Sequence, residues 1–385
     1  MTTADVVVVG LGSMGSAACA ALARRGARVI GIDRFNPPHA MGEHHGRTRL
    51  FRLAYAEHPG YVPLLREARE MWLDLEAEVR LGGIDASLFI PCGGLYAGPP
   101  GGALVGGVLE SARRHGLTIE EVDRAGLRSR FPGFAFPEGT ATVHDPDGAV
   151  IACEQALGAY LTRARSAGAT LMTGTAVESI EGASGGKVVV KASGSVIEAG
   201  SVVVTAGPWT QRLLATLGVG LTVTRQSVGF VRPANSRGFG ADRFPAWAYE
   251  NADGSLYYGT PVVPCQIGMK FARHAAGAPA DPDTVDREAT EADAADWAGA
   301  LDLVPGAGRV SVGTQVCLYT NSPDGHFIVD RVPGMEGVVV ACGFSGHGFK
   351  FVPVMGDVLA DLATEGRTRR SIGFLGLGRF EKGRA

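Results

Sequence analysis

The sequence predicts an α/β protein in which a Rossmann-like domain is interleaved with an α+β domain built on a mixed β-sheet. Two observations predict this fold. A strand, a glycine-rich turn, a helix and a second strand open the chain in the order of a βαβ unit. Two later stretches, residues 86–150 and 219–322, contain paired aromatic residues and alternating strands, which are typical of a β-rich domain inserted twice. A chain of 385 residues is long enough to build both domains.

The opening βαβ unit and the two β-rich stretches also set the expected domain bounds. We expect the first domain to comprise residues 1–85, 151–218 and 323–385, and the second to comprise residues 86–150 and 219–322. The first domain would bind the cofactor and the second would bind the substrate.

Composition indicates a small-molecule partner. The chain has 36 basic and 39 acidic residues and a formal charge of -3, so it lacks the positive patch that nucleic acid or an anionic membrane would require. Six scattered cysteines without zinc-like spacing fit reduced thiols. The N-terminus runs directly into an apolar strand, and no apolar run is long enough to span a bilayer. We expect a cytoplasmic monomer without metal or membrane contacts.

The turn after the first strand has the spacing of a dinucleotide-binding loop. Gly10, Gly12 and Gly15 form G-x-G-x-x-G between strand and helix, and Asp33 ends the next strand. The glycines allow a tight turn, close approach of the backbone to a pyrophosphate, and close packing of helix on strand. The helix N-terminus favours the anionic pyrophosphate, and Asp33 can accept a hydrogen bond from a ribose hydroxyl. The motif alone leaves FAD and NAD as alternatives.

Three further segments carry a family resemblance. They are Pro37–Arg52, containing His-His-Gly-Arg-Thr-Arg, Ser322–Asp330, beginning Ser-Pro-Asp-Gly, and Gly343–Phe351, containing Gly-Phe-Ser-Gly-His-Gly-Phe-Lys. Together they resemble the monomeric sarcosine oxidase and N-methyltryptophan oxidase family, and the similarity covers essentially the whole chain. The resemblance implies an FAD-dependent oxidase of a secondary amino acid, which releases formaldehyde and hydrogen peroxide.

The resemblance also implies a covalent cofactor. In this family the 8α-methyl carbon of FAD is attached to a cysteine shortly before the Ser-Pro-Asp segment, and Cys317 matches that position. An alkylated flavin is a better electron acceptor, which gives the thioether a chemical purpose. A buried structural cysteine is the alternative interpretation.

Site residues follow from the same matches. By similarity, Arg52 and Lys350 bind the substrate carboxylate, and an unpaired ammonium at Lys350 in its apolar, glycine-rich segment would be costly without an anion. Lys270 is expected to assist the transfer of electrons to oxygen. The predicted catalytic residues are Lys270, Arg49, His45, Tyr258 and His274, with Tyr258 also touching the substrate. The predicted cofactor-binding residues are Gly10, Gly12, Ser13, Met14, Gly15, Asp33, Arg34, His44, Arg49, Cys317, Gly343, Gly346, His347, Gly348, Phe349 and Lys350.

Alternatives stay open at this point. The family commonly has Asp where this chain has Arg47, which makes the site entrance more positive and leaves the substrate undecided. A cyclic imino acid such as proline or pipecolate could use the same carboxylate site. From other classes, a nicotinamide-dependent dehydrogenase or a flavin-binding subunit without turnover is possible. The set of Cys317, Lys270, Arg52 and Lys350 argues against the last of these.

Overall fold

The computed structural model describes residues 2–274 and 277–383 as three β-sheets with helices packed against them. The strands are β1 (Thr2–Val9), β2 (Val29–Ile32), β3 (Thr48–Phe51), β4 (Phe89–Pro91), β5 (Gly94–Gly98), β6 (Glu120–Glu121), β7 (Ala141–Asp145), β8 (Ala149–Ala152), β9 (Thr170–Met172), β10 (Val177–Gly182), β11 (Val188–Ala192), β12 (Ser195–Val204), β13 (Thr222–Val231), β14 (Ala246–Glu250), β15 (Leu256–Thr260), β16 (Met269–His274), β17 (Ser311–Asn321), β18 (Ile328–Arg331) and β19 (Val338–Cys342). The α-helices are α1 (Ser13–Arg24), α2 (Val62–Leu81), α3 (Ala103–His115), α4 (Arg124–Arg130), α5 (Cys153–Ser166), α6 (Thr210–Leu213), α7 (Glu291–Ala298) and α8 (Val352–Glu365).

The first sheet has eight strands and a parallel centre. Strands β9, β2, β1, β12 and β19 lie side by side in that order and run in the same direction. Val6 to Val9 of β1 are all buried, and alternate residues of this run face two separate hydrophobic clusters. Helices α1, α5 and α8 contribute to one of these clusters. A parallel strand covered on both faces has a continuous apolar sequence, which explains the unbroken valine run.

The second sheet, also of eight strands, follows the order β17-β13-β16-β15-β14-β5-β7-β6. Only β14 and β5 are parallel neighbours, so the sheet is mixed. Met269 and Phe271 of β16 pack into one cluster, whereas Ala272 packs on the opposite face against Cys317. Side chains alternate along a strand, so Lys270 lies on the same face as Ala272. The two sheets confirm the α/β fold with a mixed second sheet.

A small third sheet joins these parts. Its order is β3-β8-β4, and β3 carries Arg49. Strand β3 contacts β15 of the second sheet and the helical turn Phe349–Phe351. It therefore places Arg49 between the second sheet and the last of the three motif segments.

A strap from the second sheet's part of the chain crosses to the first sheet. We use this term for Asp281–Arg287, which lies between β16 and α7. Asp283 pairs with Arg34 at 2.6 Å and also with Arg212. The Arg287 guanidinium donates to the backbone oxygens of Ala40 and Met41, each at 3.1 Å. The strap is thus held at both of its ends by the glycine-loop side of the molecule.

The first sheet draws its strands from residues 2–32, 170–204 and 328–342, and the second from residues 94–145 and 222–321. The exact domain bounds given above stay a prediction. Residue 1, residues 275–276 and residues 384–385, which those bounds include, lie outside the described residues.

Close packing at Gly15 gives a first test of the fold. A Cβ atom at Gly15 would lie 1.8 Å from the Gly10 backbone oxygen and 2.5 Å from Thr205 Oγ1, so Gly15→Ala forces the loop and strand apart. We expect it to lower the free energy of unfolding by roughly 1–3 kcal/mol, as other overpacked positions do. Thermal unfolding followed by circular dichroism measures the effect.

Gly158→Ala in α5 is the matched control, because no atom lies within 4 Å of a Cβ atom placed there. Alanine should stabilise that half-buried helical position by up to about 1 kcal/mol. Equal stability of the two variants would contradict the packing role of Gly15.

Candidate active site

A cavity of about 320 Å³ opens at the carboxyl ends of the parallel strands. Ligands of open α/β sheets bind at this edge, outside the carboxyl ends of the strands. Of the predicted cofactor-binding residues, the following line this cavity: Gly10, Gly12, Ser13, Met14, Asp33, Arg34, His44 and Gly343. The strap contributes Asp283 to the same cavity.

The glycine loop has the geometry that a dinucleotide needs. Gly10 has a φ of +91°, and a Cβ atom there would lie 2.4 Å from the Thr205 backbone oxygen. Gly12 is the N-cap of α1 and provides no side-chain cap, so the first amides of the helix remain available to an anion. Gly15 does not line the cavity but packs the helix against the loop.

Asp33 is held in place by the loop itself. Its carboxylate accepts hydrogen bonds from the backbone amides of Leu11 and Phe35, both at 2.7 Å. His39 Nε2 lies 3.5 Å from Asp33 Oδ1 and is buried without a hydrogen-bond partner. An orphaned polar atom beside a fixed carboxylate in a cavity indicates a site for a polar ligand such as a ribose. The residues present fit FAD.

Arg34 and His44 differ in how free they are to bind a cofactor. Arg34 lines the cavity, but its guanidinium already pairs with Asp283 of the strap. His44 is buried, and its Nε2 accepts from the His39 backbone amide at 3.3 Å. Burial and the neighbouring His39 lower the pKa of His44 to about 3, so the ring is neutral at pH 7.

Three chemically distinct groups converge on Gly46. A Cβ atom at this glycine would lie 3.1 Å from Cys317 Sγ, 3.4 Å from Arg49 Nη1 and 3.9 Å from Lys270 Nζ. Gly46 has a φ of +103°, which other residues rarely adopt. The structure thus brings together a thiol and two cations, although Arg49 precedes both Lys270 and Cys317 by more than 200 residues in the sequence.

Backbone carbonyl groups hold both cations of this cluster. Arg49 donates to the backbone oxygens of Glu43 and Thr48 at 2.8 Å and of His45 at 2.7 Å. Lys270 is 0% exposed and donates to the Gly46 oxygen at 3.0 Å and the Thr48 oxygen at 2.8 Å.

Their charges are coupled. Burial, together with the positive charge of the neighbouring Arg49, lowers the pKa of Lys270 to about 7. Lys270 therefore titrates near neutral pH.

Cys317 and His45 meet through the backbone. Cys317 is 2% exposed, and its thiol donates to the His45 backbone oxygen at 3.5 Å. The His45 side chain lies elsewhere, with Nδ1 at 3.4 Å from Glu154, and this hydrogen bond is the main cause of the lowered pKa of Glu154. His45 lines neither cavity of the site.

A second cavity, of about 230 Å³, lies beside this cluster. It is lined by most of the residues predicted to bind substrate or perform catalysis. Those residues are Arg49, Arg52, Tyr258, His274 and Lys350, and the cavity is also lined by Gly346, His347 and Phe349, which were predicted to bind the cofactor. Gly348 lines neither cavity, and its role is packing, since a Cβ atom there would lie 2.4 Å from the Phe344 ring.

Lys350 and Arg52 lie in this second cavity with partners that the sequence did not indicate. Lys350 Nζ donates to the His347 backbone oxygen at 2.6 Å and to the Tyr55 hydroxyl at 3.3 Å. Burial and Arg52 hold the pKa of Lys350 well below its usual value. The Arg52 guanidinium lies 4.7 Å from the centre of the Tyr55 ring and pairs with Glu57.

Glu57 is therefore a site residue that sequence reasoning missed. Burial acts to raise its pKa, but Arg52, His347 and Lys350 outweigh burial and lower the pKa to about 2. In the sequence, Glu57 is marked only as an acidic residue five positions after Arg52. Acidic residues are common on any surface loop, so this spacing did not indicate a site residue. Any carboxylate that Arg52 binds must share the guanidinium with Glu57 or displace it.

Two tyrosines, Tyr258 and Tyr319, also line the second cavity. Tyr319, also missed by sequence reasoning, has its hydroxyl 3.4 Å from His274 Nδ1. Burial lowers the pKa of His274 to about 4, so the ring is neutral at pH 7. Tyr319 lies two residues after Cys317 on β17, and strand alternation could have placed both on one face.

The segment Gly343–Phe351 contributes residues to both cavities. Gly343 lines the first cavity, whereas His347 and Lys350 line the second. His347 Nδ1 lies 2.6 Å from the Tyr55 hydroxyl and Nε2 lies 2.9 Å from the Gly325 oxygen. Both ring nitrogens of His347 are therefore hydrogen-bonded.

Within the described residues, no group of three or more histidine, cysteine, aspartate or glutamate side chains could hold a metal ion. No helix in that part of the chain is long and apolar enough to cross a membrane.

Comparisons with known proteins show the family to which the chain belongs. The family described as DAO, FAD dependent oxidoreductase, matches residues 5–362. The chain is 38% identical over 382 residues to a monomeric sarcosine oxidase of Bacillus sp. (strain NS-129), covering 97% of this chain and 96% of the relative. It is 33% identical over 367 residues to an N-methyl-L-tryptophan oxidase of Salmonella dublin, covering 93% and 94%.

Solved structures of other proteins have the same fold. NikD, an unusual amino acid oxidase essential for nikkomycin biosynthesis, is 27% identical with a TM-score of 0.83 over 98% of both chains. The L-proline dehydrogenase from P. horikoshii shares the fold, with a TM-score of 0.83 at 20% identity over 99% of both chains. The chain therefore belongs to the FAD-dependent oxidoreductase family and is an FAD-dependent amine oxidase related to the monomeric sarcosine oxidases and N-methyltryptophan oxidases.

Proposed function

We propose that this enzyme oxidises the N-methyl group of a secondary amino acid to an imine, which water hydrolyses to formaldehyde and the primary amino acid. The observation that carries the proposal is the second cavity, where Arg52 and Lys350 lie in a pocket that also contacts Arg49 and Tyr258. The names of the relatives, sarcosine oxidase and N-methyl-L-tryptophan oxidase, support the same substrate class.

Arg52 and Lys350 are proposed to bind the substrate carboxylate. Arginine presents a planar pair of N–H donors that matches a carboxylate, and the Lys350 ammonium adds a point charge. Glu57 neutralises Arg52 until a substrate arrives, so the buried guanidinium is paired in both situations. In this proposal the substrate carboxylate accepts N–H groups of Arg52 that otherwise donate to Glu57, and no new cation is needed.

The same cations help to deprotonate the substrate. A secondary amine has a pKa of roughly 10, like a lysine side chain, and only its neutral form has the lone pair that oxidation requires. Arg49, Arg52 and Lys350 disfavour a further positive charge in the cavity. His274 and His347 are neutral at pH 7 and add no charge of their own.

The chemistry that bound FAD would supply is a two-electron oxidation of the carbon next to the substrate nitrogen, with oxygen as the final electron acceptor and hydrogen peroxide as the product. The glycine loop and Asp33 would hold its dinucleotide portion, as the first cavity supports. Cys317 is proposed to carry the covalent link, and Lys270 to stabilise the negative charge that forms on oxygen. We further propose that the enzyme works as a cytoplasmic monomer.

Oxidation of a ring carbon in a cyclic imino acid is a second candidate. The same carboxylate site would serve, but no formaldehyde would form.

A screen for hydrogen peroxide and formaldehyde tests the choice between them. We expect both products, in equal amounts, from N-methyl amino acids. Peroxide without formaldehyde, and only from proline-like substrates, would favour the second candidate. Absence of peroxide with both classes would contradict the proposed function.

Covalent attachment at Cys317 predicts that acid precipitation of mature enzyme leaves a yellow pellet. Cys317→Ser should release all flavin to the supernatant, because a hydroxyl does not form the thioether. The control is Cys19→Ser, another buried cysteine that lies in α1 away from the Gly46 cluster. A colourless pellet from fully loaded wild-type enzyme would disprove the attachment.

Carboxylate binding predicts weaker inhibition in Arg52→Met and Lys350→Met. A hydrogen bond to a charged group contributes about 1.5–3 kcal/mol, so the Kd of a carboxylate inhibitor should rise by roughly tenfold to a hundredfold. Titration of the flavin absorbance measures this Kd. Arg309→Met, an exposed arginine that pairs with Asp302, is the control and should leave the Kd unchanged. Unchanged affinity in both active-site variants would rule out the assignment.

Oxygen activation by Lys270 predicts a different effect on the two half-reactions. In Lys270→Met, anaerobic flavin reduction should slow modestly, whereas reoxidation should slow by about a hundredfold, the usual loss for one electrostatic stabiliser. Stopped-flow absorbance separates the two rates.

The pH dependence has a definite sign. Lys270 is charged below its pKa of about 7, so reoxidation should be fast at pH 6 and should slow as the pH rises through 7. Lys270→Met should lose this dependence. If reduction collapses while reoxidation keeps its rate, Lys270 acts on the substrate and Arg49 becomes the next candidate for the oxygen site.

A further inference from the structure

We infer that the second cavity selects secondary amino acids with an apolar side chain, in preference to sarcosine or to substrates with a charged side chain. Leu104, Ala248 and Leu256 are the residues that set this selection. The inference rests on the proposed function and narrows its substrate class.

The three residues form one apolar wall that begins next to the predicted catalytic Tyr258. Ala248 of β14 lies directly opposite Tyr258 of β15 in the strand register. Directly paired residues on neighbouring antiparallel strands have Cβ atoms about 4.5–5.5 Å apart and point to the same face. Leu104 and Leu256 pack in the same hydrophobic cluster as Ala248 and Tyr258, so the wall is continuous.

The wall lies apart from the cluster at Gly46, where the covalent link to the cofactor is proposed. Neither Cys317 nor Lys270 lines the second cavity, although both converge on Gly46 nearby. Arg52, Lys350, Tyr258 and the three wall residues all line this one cavity. A substrate with its carboxylate on the two cations would direct any side chain along this wall.

Small residues leave space in front of the wall. Ala56, Ala103 and Gly254 line the cavity together with Ala248, and none of them fills it with a side chain. Ala103 and Gly254 are exposed and mark the mouth of the cavity. The whole cavity measures about 230 Å³, and sarcosine has no side chain to occupy the part along the wall.

The acids in this cavity are not free to bind a basic side chain. Glu57 is paired with Arg52. The two oxygens of Glu250 accept hydrogen bonds from the backbone amides of Ala103 at 3.1 Å and Leu104 at 2.8 Å. Since α3 has no side-chain cap of its own, Glu250 supplies the negative charge that its N-terminus favours.

Glu250 is therefore a positioning residue for the wall. Its hydrogen bonds fix the first turn of α3, and with it Leu104, against β14. An ammonium or carboxylate on the substrate side chain would be desolvated against this wall without a partner, which is costly.

Burial of alkyl groups then sets the size of the preference. Each buried methylene group strengthens binding by roughly fourfold, equivalent to about 0.8 kcal/mol. We expect kcat/KM for N-methyl-leucine to exceed that for sarcosine by at least about tenfold. N-methyl-aspartate and Nα-methyl-lysine should be poorer substrates than N-methyl-leucine by a similar factor.

Ala248→Leu tests the wall directly, because its isobutyl group would occupy the space proposed for the substrate side chain. It should lower kcat/KM for N-methyl-leucine at least about tenfold more than for sarcosine. Leu256→Ala is a second variant at a partly exposed position and should reduce the ratio of the two values by removing contacts. Ala295→Leu, on the exposed surface of α7, is the matched control and should leave the ratio unchanged.

The outcomes separate the inference from the proposed function. Absence of peroxide with every secondary amino acid would overturn the proposed function. Turnover of sarcosine or N-methyl-aspartate with a kcat/KM equal to that of N-methyl-leucine would overturn only the inference. An equal effect of Ala248→Leu on sarcosine and N-methyl-leucine, in a variant with normal flavin content and Tm, would also overturn it.

Discussion

The arrangement at Gly46 depends on backbone carbonyl groups that hold two buried cations. Arg49 and Lys270 come from different sheets, and both donate to oxygens of the short segment between Glu43 and Thr48. A buried ammonium without partners would cost several kcal/mol, so these bonds are a condition for placing Lys270 there. The positive φ of Gly46 turns the segment so that its oxygens point at the cations and Cys317 can approach.

This constraint links the parts of the molecule. The second sheet provides Lys270 and Cys317 on one face, and the third sheet provides Arg49 next to the Thr48 oxygen. The strap adds further ties between the two large sheets, with Asp283 reaching the edge of the first cavity. Individual surface ion pairs contribute little, but the strap joins several of them with two backbone hydrogen bonds from Arg287. The two cavities are therefore built from both parts of the chain.

The second cavity combines charge and shape in different places. Arg52 pairs with Glu57, and Lys350 donates hydrogen bonds to the His347 backbone oxygen and the Tyr55 hydroxyl. The cavity therefore holds both basic side chains without leaving either unpaired. Leu104, Ala248 and Leu256 give the same cavity an apolar part, and both of its acids are already bonded. Such a division suits an amphipathic ligand whose anionic end and apolar end are separated by a reactive nitrogen.

The sequence by itself determined the parts whose signal is local. The valine run, the spacing of Gly10, Gly12 and Gly15, and the acid at Asp33 all follow from strand, turn and helix chemistry within some 30 residues, and the structure has them as a βαβ unit. The motif segments carried the family resemblance, and that resemblance implied the roles of Cys317, Lys270 and Lys350. Only the tertiary structure decided that Arg52 pairs with Glu57 and that Arg34 pairs with the strap. It also decided that Tyr319 and the wall around Ala248 complete the cavity. These contacts join residues whose order in the chain carries no periodic signal, because they depend on how separate sheets pack and not on the backbone geometry of any one element.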